Sequence, residues 1–173
     1  LSSIKKAWAD FDGSHVVFCL EGRSWRKDFY EPYKKNRKVA RDALTESQAE
    51  EDKVFWEMFD EYKDFVSTKT NCTVMQHPEL EADDLIATYA KQIIKVGAKA
   101  TIISSDKDLM QLVSDDIRLY DPMKSKVIGE KEVIEKFGVK PEQVIDVQSL
   151  AGDSSDNIPG VPGIGVKTAA ELI

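Results

Sequence analysis

Apolar residues along the chain fall into two rhythms. Four short runs, HVVFCL (His15 to Leu20), CTVMQ (Cys72 to Gln76), KATIIS (Lys99 to Ser104) and DIRLYD (Asp116 to Asp121), predict strands. Between the second and third, Leu85, Ile86, Tyr89, Ile93 and Ile94 recur at helical spacing, which predicts a helix over Asp83 to Val96 closed by Gly97. A helix flanked by strands is a βαβ unit. Parallel strands joined in this way place their C-terminal ends on one sheet edge, where open α/β sheets bind ligands.

A longer helical pattern runs from Thr45 to about Ser67, with Val54, Phe55, Met58, Phe59, Tyr62 and Val66 at helical spacing. It is opened by TESQ, where Thr45 and Gln48 can form a capping box. The last segment, Gly152 to Ile173, is broken by Gly160, Pro162, Gly163 and Gly165 and is expected to form two short helices joined by a tight turn. Trp8 and Trp56 are expected in the core. There is no internal repeat and no low-complexity segment.

A chain of 173 residues with 42% hydrophobic content can bury a core of its own and is expected to form one domain, with a small appendage at most. No run approaches the roughly 18 apolar residues of a membrane span. The opening LSSIKKAWADFDG is amphipathic and lacks the layout of a signal peptide. Cys19 and Cys72 lie in apolar runs and read as buried free thiols of a reducing, intracellular compartment. The formal charge of −7 argues at first against a polyanionic partner, but its distribution matters more. From Arg23 to Arg41 there are eight basic residues (Arg23, Arg26, Lys27, Lys34, Lys35, Arg37, Lys38, Arg41) against Asp28 and Glu31.

The acids concentrate elsewhere. LEADDLIATYAKQ crowds Glu81, Asp83 and Asp84 into a helix start, and the helix dipole favours one or two acids there by only about 0.3–1 kcal/mol each. SSDKD places Asp106 and Asp108 after a strand, FCLEG places Glu21 after another, and GDSSDN places Asp153 and Asp156 three apart, on one face if that stretch is helical. Without these eight carboxylates the formal charge of −7 becomes +1. Any one of them alone reads as a turn or cap residue. Together, at strand exits and helix starts, they form an oxygen-rich set of the kind that selects magnesium or manganese, and two such ions about 4 Å apart can clamp a phosphodiester undergoing displacement. Zinc is disfavoured, because His15 and His77 are the only histidines and there is no CxxC. No nucleophilic triad has its supporting residues.

EGRSWRKDFYEPYKKNR, LEADDLIATYA, ISSDKDLMQLV and KFGVKPEQVIDVQSLAGDSSDNIPGVPGIGVKTAAELI resemble, in order and spacing, the motifs of the structure-specific 5′-nuclease family. That family includes the 5′-to-3′ exonuclease domain of bacterial DNA polymerase I, the phage 5′-exonucleases and RNase H enzymes, and the flap endonucleases. The likeness spans about Val16 to Ile173. It implies an α/β fold, a PIN-like nuclease core with a central, mostly parallel sheet flanked by helices, over residues 1–150. A helical arch would lie around residues 34–66, and residues 151–173 would begin a helix-turn-helix duplex-binding element. By motif position, Glu21, Glu81, Asp83 and Asp84 would line a first metal site, and Asp106, Asp108, Asp153 and Asp156 a second. Two Mg2+ or Mn2+ ions would be the cofactors. Lys34 and Arg37 would touch the scissile phosphate. Arg26, Lys35 and Lys38, and the turn of Gly160, Gly163 and Gly165 with Lys167, would contact DNA, with K+ at the glycine-rich turn.

The resemblance implies hydrolysis of phosphodiesters in branched or nicked DNA near a 5′ end or flap, and of RNA primers on DNA, by a monomer that works with replication proteins inside a bacterium or a phage-infected one. Two departures stand out. Most members carry Asp where Glu21 stands, and the family's first strand, which ends in a metal-binding Asp, has no counterpart. The chain is therefore expected to be either part of a longer protein, with about twenty to fifty further residues before Leu1, or a nuclease-dead fragment. Two other readings remain open: a non-catalytic, structure-selective DNA-binding protein, and a PIN-type ribonuclease. Trp25, Phe29, Tyr30 and Tyr33 are expected mostly in the core, with stacking on an unpaired base as the alternative.

Overall fold

The computed structural model describes residues 2–173, with side chains from Lys5 onward. The chain divides into two compact bodies. The first holds residues 2–12, 83–154 and 158–173; the second holds residues 13–82 and 155–157.

In the second body, β1 (Val17–Leu20) and β2 (Thr73–Gln76) pair in parallel, Val17 opposite Thr73 and Leu20 opposite Gln76. Between them run α2 (Arg26–Phe29), α3 (Lys35–Asp42) and α4 (Glu46–Lys69). The expected capping box opens α4: Gln48 N donates to Thr45 Oγ1 at 3.4 Å and Thr45 N to Gln48 Oε1 at 3.0 Å. Toward its far end α4 lies against the strands, with Val66 buried and the Tyr62 ring 6.2 Å from that of Phe18. Its first half does not: Val54, Phe55, Trp56 and Met58 are exposed. Both cysteines are free and half-buried rather than fully buried.

The first body begins with α1 (Ser2–Asp10) and takes most of α5 (Ala82–Ile94). After it come β3 (Ala100–Ile103), a 3-10 turn (Lys107–Leu112), β4 (Ile117–Asp121), β5 (Lys126–Ile128), α6 (Glu130–Phe137), α7 (Val144–Ala151), the two-residue strands β6 (Gly152–Asp153) and β7 (Ile158–Pro159), and α8 (Val166–Leu172). β3 and β4 are parallel, and β5 returns antiparallel on β4. The core is built where their inward positions meet the helices: Ile102, Leu119, Leu109, Val133, Phe137, Val144 and Val147 are all buried. At about 25 cal/mol per Å² of apolar surface, fully burying one such aliphatic side chain is worth roughly 1.5–3 kcal/mol.

Three further expectations change. β2 and β3, on either side of α5, pair with β1 and β4 rather than with each other. Residues 152–159 are not helical: Gly152 at φ +74 ends α7, and Gly152–Asp153 pairs antiparallel with Ile158–Pro159. The two helices of this region are α7 and α8, so the first of the pair precedes Gly152. Trp8 and Trp56 are each 42% exposed rather than core, and of the α2 aromatics and Tyr33 only Tyr33, at 7%, is buried. No helix among the described residues is long and apolar enough to cross a membrane.

Candidate functional site

In the second body the site is organised on Glu81, the residue before α5. The segment after β1 runs beside the segment after β2. Gly22 N donates to Leu80 O at 2.9 Å, Arg23 N to Pro78 O at 2.8 Å and Trp25 N to Glu79 O at 3.2 Å. The approach is close enough to require glycine: a Cβ on Gly22 would lie 2.0 Å from His77 O. Glu21 is exposed, and its Oε2 accepts from Ala82 N at 2.8 Å, so it caps the start of α5.

Glu81 is 3% exposed. Its carboxylate accepts from Ser24 Oγ at 2.8 Å, Arg26 NH1 at 2.9 Å, Tyr33 Oη at 3.0 Å and Lys34 Nζ. Burial pushes this carboxyl up, but the Lys34, Ser24 and Tyr33 hydrogen bonds and the Lys34 charge outweigh it and hold Glu81 below its ordinary range. Burial, with Glu81 and Asp156 close by, pushes the Tyr33 phenol far up, so it stays a donor. Asp156 is also buried. Arg37 NH2 reaches its Oδ1 at 2.6 Å, Lys34 Nζ lies 3.9 Å from Oδ2, and Lys34 N donates to its backbone oxygen at 3.0 Å. Lys34 sits at φ 55, a left-handed conformation unusual for a residue with a side chain, immediately before α3.

In the first body, Asp106 caps the 3-10 turn, accepting from Asp108 N at 2.9 Å. Asp108 Oδ1 accepts from Gln148 Nε2 at 2.6 Å. Burial raises the Asp108 carboxyl, Asp106 and Asp153 raise it further, and the Gln148 bond only partly opposes them. Lys107 Nζ lies 2.8 Å from Oδ2 of buried Asp153. Burial lowers the Lys107 amine, and the Asp153 hydrogen bond and charge overcome that and raise it. Asp83 and Asp84 occupy the first turn of α5, both half-buried.

The donors are Asp and Glu oxygens throughout, which suits a hard divalent cation. The histidines are engaged otherwise: His15 Nε2 is 3.0 Å from Thr73 Oγ1, and His77 Nδ1 accepts from Glu79 N at 3.2 Å. Among the described residues, no three His, Cys, Asp or Glu side chains are grouped to hold one ion. Basic side chains lie on the acids: Lys34 and Arg26 on Glu81, Arg37 on Asp156, Lys107 on Asp153.

Two family models match the sequence: the 5′-3′ exonuclease N-terminal resolvase-like domain over residues 1–138, and the 5′-3′ exonuclease C-terminal SAM fold over residues 139–173. The chain belongs to the 5′-3′ exonuclease family. A DNA polymerase I of Rhizobium leguminosarum is 46% identical over 158 residues, covering 91% of this chain and 14% of that protein. A flap endonuclease Xni of Shewanella woodyi is 38% identical, covering 99% of this chain and 64% of that protein. The chain thus spans 14% and 64% of the length of these two relatives. Among solved structures, the bacteriophage T5 D15 flap endonuclease in a pseudo-enzyme-product complex with DNA and metal ions superposes with a TM-score of 0.91 at 26% identity, covering 99% of this chain and 64% of that one.

Within this 5′-3′ exonuclease fold, Glu81 was expected at a first metal site, Asp156 at a second and Lys34 and Arg37 at the phosphate, with no contact among them foreseen; Lys34 lies on Glu81 and Arg37 on Asp156. The sequence reading missed Ser24, Lys107 and Gln148. Only Lys107 left a trace, as the base between two acids in SDKD. Arg26, expected at DNA, is bound to Glu81, while Lys35 pairs with Glu31 at 2.8 Å and Lys38 is exposed. Gly160 serves packing: a Cβ there would lie 2.3 Å from Ala151 C and O. Gly163, at φ +82, and Gly165 each have open space where a Cβ would stand, and Lys167 is exposed in the first turn of α8.

Proposed function

We propose that this protein is a divalent-metal-dependent 5′ nuclease that hydrolyses phosphodiesters of branched or nicked DNA near a 5′ end or flap, and of RNA primers paired to DNA. The observation that carries the reading is the pairing of Lys34 and Arg37 with the buried carboxylates Glu81 and Asp156. Cations held against buried acids in this way are matched in charge to a phosphate on one side, and the acids to a metal on the other.

The proposed ligands for Mg2+ or Mn2+, two ions in all, are Glu21, Glu81 and Asp156 in the second body and, taken by themselves, Asp83, Asp84, Asp106, Asp108 and Asp153 in the first. Bound there, the cations supply Lewis acidity toward the phosphodiester. Lys34 and Arg37 supply fixed positive charge where negative charge develops on the phosphate, and they are preorganised by Glu81 and Asp156. The left-handed backbone at Lys34 holds its amine in that role. Arg26, Lys35 and Lys38 contact the phosphate backbone, and Gly163, Gly165 and Lys167 meet duplex phosphates at the start of α8, with K+ as a further counter-ion. Residues 34–66 form the arch over the strand to be cut. The protein acts as a monomer alongside replication proteins.

A 5′-labelled flap substrate incubated with Mg2+ or with EDTA tests the reading. Short labelled products that require the metal are expected. Duplex binding without cleavage would leave a structure-selective binding protein, and preferred cleavage of single-stranded RNA would leave a ribonuclease; either result overturns the proposal.

A further inference from the structure

The aromatic side chains in and beside α2 have no part in the chemistry above. Trp25, Phe29 and Tyr30 are 40%, 84% and 38% exposed. A single exposed apolar residue needs no cause. Three aromatic rings within six residues are a patch, and two of them touch: the Trp25 and Phe29 centroids lie 5.5 Å apart at 86°. A cation is interleaved, for the Arg26 guanidinium lies 5.0 Å from the Trp25 ring centroid.

The patch is held in place. Backbone bonds tie Arg23 and Trp25 to Pro78 and Glu79, Ser24 Oγ donates to Glu81, and Tyr30 Oη donates to Asn157 O at 3.3 Å. Rings fixed in advance lose little freedom when they bind. Arg26 and Lys34 share one carboxylate, Glu81, so the patch adjoins the amine assigned to the phosphate.

Charge identifies the occupant. The stretch from Arg23 to Arg41 carries eight basic residues against two acidic ones, which suits a polyanion. The exposed apolar residues of α4 differ in this respect, since that helix carries eight acids and three bases, the wrong sign for nucleic acid. Aromatic rings among basic side chains are the surface on which unpaired bases stack, because every base presents a π-face.

We propose that Phe29, with Trp25 in edge contact, stacks on an unpaired nucleobase of the strand whose phosphate Lys34 and Arg37 contact. The inference rests on the nuclease reading. The test uses a 5′-flap oligonucleotide with 2-aminopurine at the unpaired nucleotide next to the junction, with Ca2+ in place of Mg2+. Binding by the native protein is expected to quench the 2-aminopurine. Phe29→Ala should abolish the quench and weaken binding on the order of tenfold, while Phe29→Tyr, which keeps the ring, should retain both. The high exposure of Phe29 leaves the fold indifferent to either change, which circular dichroism checks.

Quench and affinity preserved in Phe29→Ala, or lost equally in Phe29→Tyr, would overturn the stacking role. So would a native protein that cleaves the flap in Mg2+ without quenching the base, and in that case the nuclease reading stands. A native protein that neither binds nor cleaves the flap overturns both.

Discussion

Replacing Lys34 with methionine keeps most of the stem and deletes the amine, so it isolates the charge resting on Glu81. Removing the partner of a buried ion costs roughly 3–5 kcal/mol when nothing else supports the charge. Glu81 retains Arg26 at 2.9 Å, Ser24 at 2.8 Å and Tyr33 at 3.0 Å, one of them cationic. The loss should therefore approach that of one hydrogen bond to a charged group, about 1.5–3 kcal/mol. The pH dependence follows from the depressed Glu81 carboxyl. Stability from such a group is fully present above its ordinary value of 4.5 and is lost as pH falls through the lower folded value. Urea denaturation followed by tryptophan fluorescence should show the native protein well ahead of Lys34→Met at about pH 7.5, with the gap closing as pH falls below 4.5. Lys34→Gly removes the same amine but relieves the left-handed backbone, worth about 1–2 kcal/mol, and should be the more stable of the two variants. Equal stability of native and Lys34→Met protein at neutral pH, or a gap that does not change with pH, would refute the assignment of the Lys34 amine to Glu81.

Asp108→Asn should stabilise the fold at neutral pH while abolishing metal-dependent cleavage, as paired thermal melts and flap assays would read. Its carboxyl is raised by burial and then by Asp106 and Asp153, so the ionised form costs the fold stability above its ordinary value of 3.8, and the gain should shrink as pH falls toward that value. An amide oxygen can still accept from Gln148. Gly160→Ala should lower the melting temperature by several degrees, because its Cβ would lie 2.3 Å from Ala151 C and O and 2.6 Å from Gly152 N. Gly165→Ala, with nothing within 4 Å, should be neutral to within about 0.5 kcal/mol in the same melts.

Local rules located most elements of this fold. The run from Cys72 to Gln76 became β2, the pattern from Asp83 became α5, and TESQ formed the capping box it promised, because each depends on neighbours within a few residues. Pairing was not legible. Period-two alternation says that a run is a strand and leaves its partner open, so β2 joining β1 and β3 joining β4 could not be read from β2, α5 and β3 alone. The stretch after Gly152 failed for a related reason. Its glycines and prolines signalled breaks, but a two-residue ladder across a turn depends on the contact of Gly152 with Gly160, eight positions apart. Trp56 was misjudged because helical spacing on α4 does not reveal how much of that helix meets the strands: Val66 does and Trp56 does not.

The acids stand out in the sequence as a set because charge density needs no geometry to be noticed. What each acid touches was not legible. An acid is satisfied by whichever cation the fold brings within about 4 Å, and the chain supplies several: Lys34 from the turn before α3, Arg37 from α3 and Lys107 from the 3-10 turn. These bases reduce the repulsion that crowding the carboxylates would otherwise cause. That repulsion persists at Asp108, whose direct partner is the neutral amide of Gln148 while Asp106 and Asp153 push its carboxyl upward. An acid whose direct hydrogen bond is to an amide, with two like charges close by and the Lys107 charge only partly opposing them, gains from an incoming cation. Asp108 should therefore respond more to added Mg2+ than Glu81, which is already held by Lys34 and Arg26.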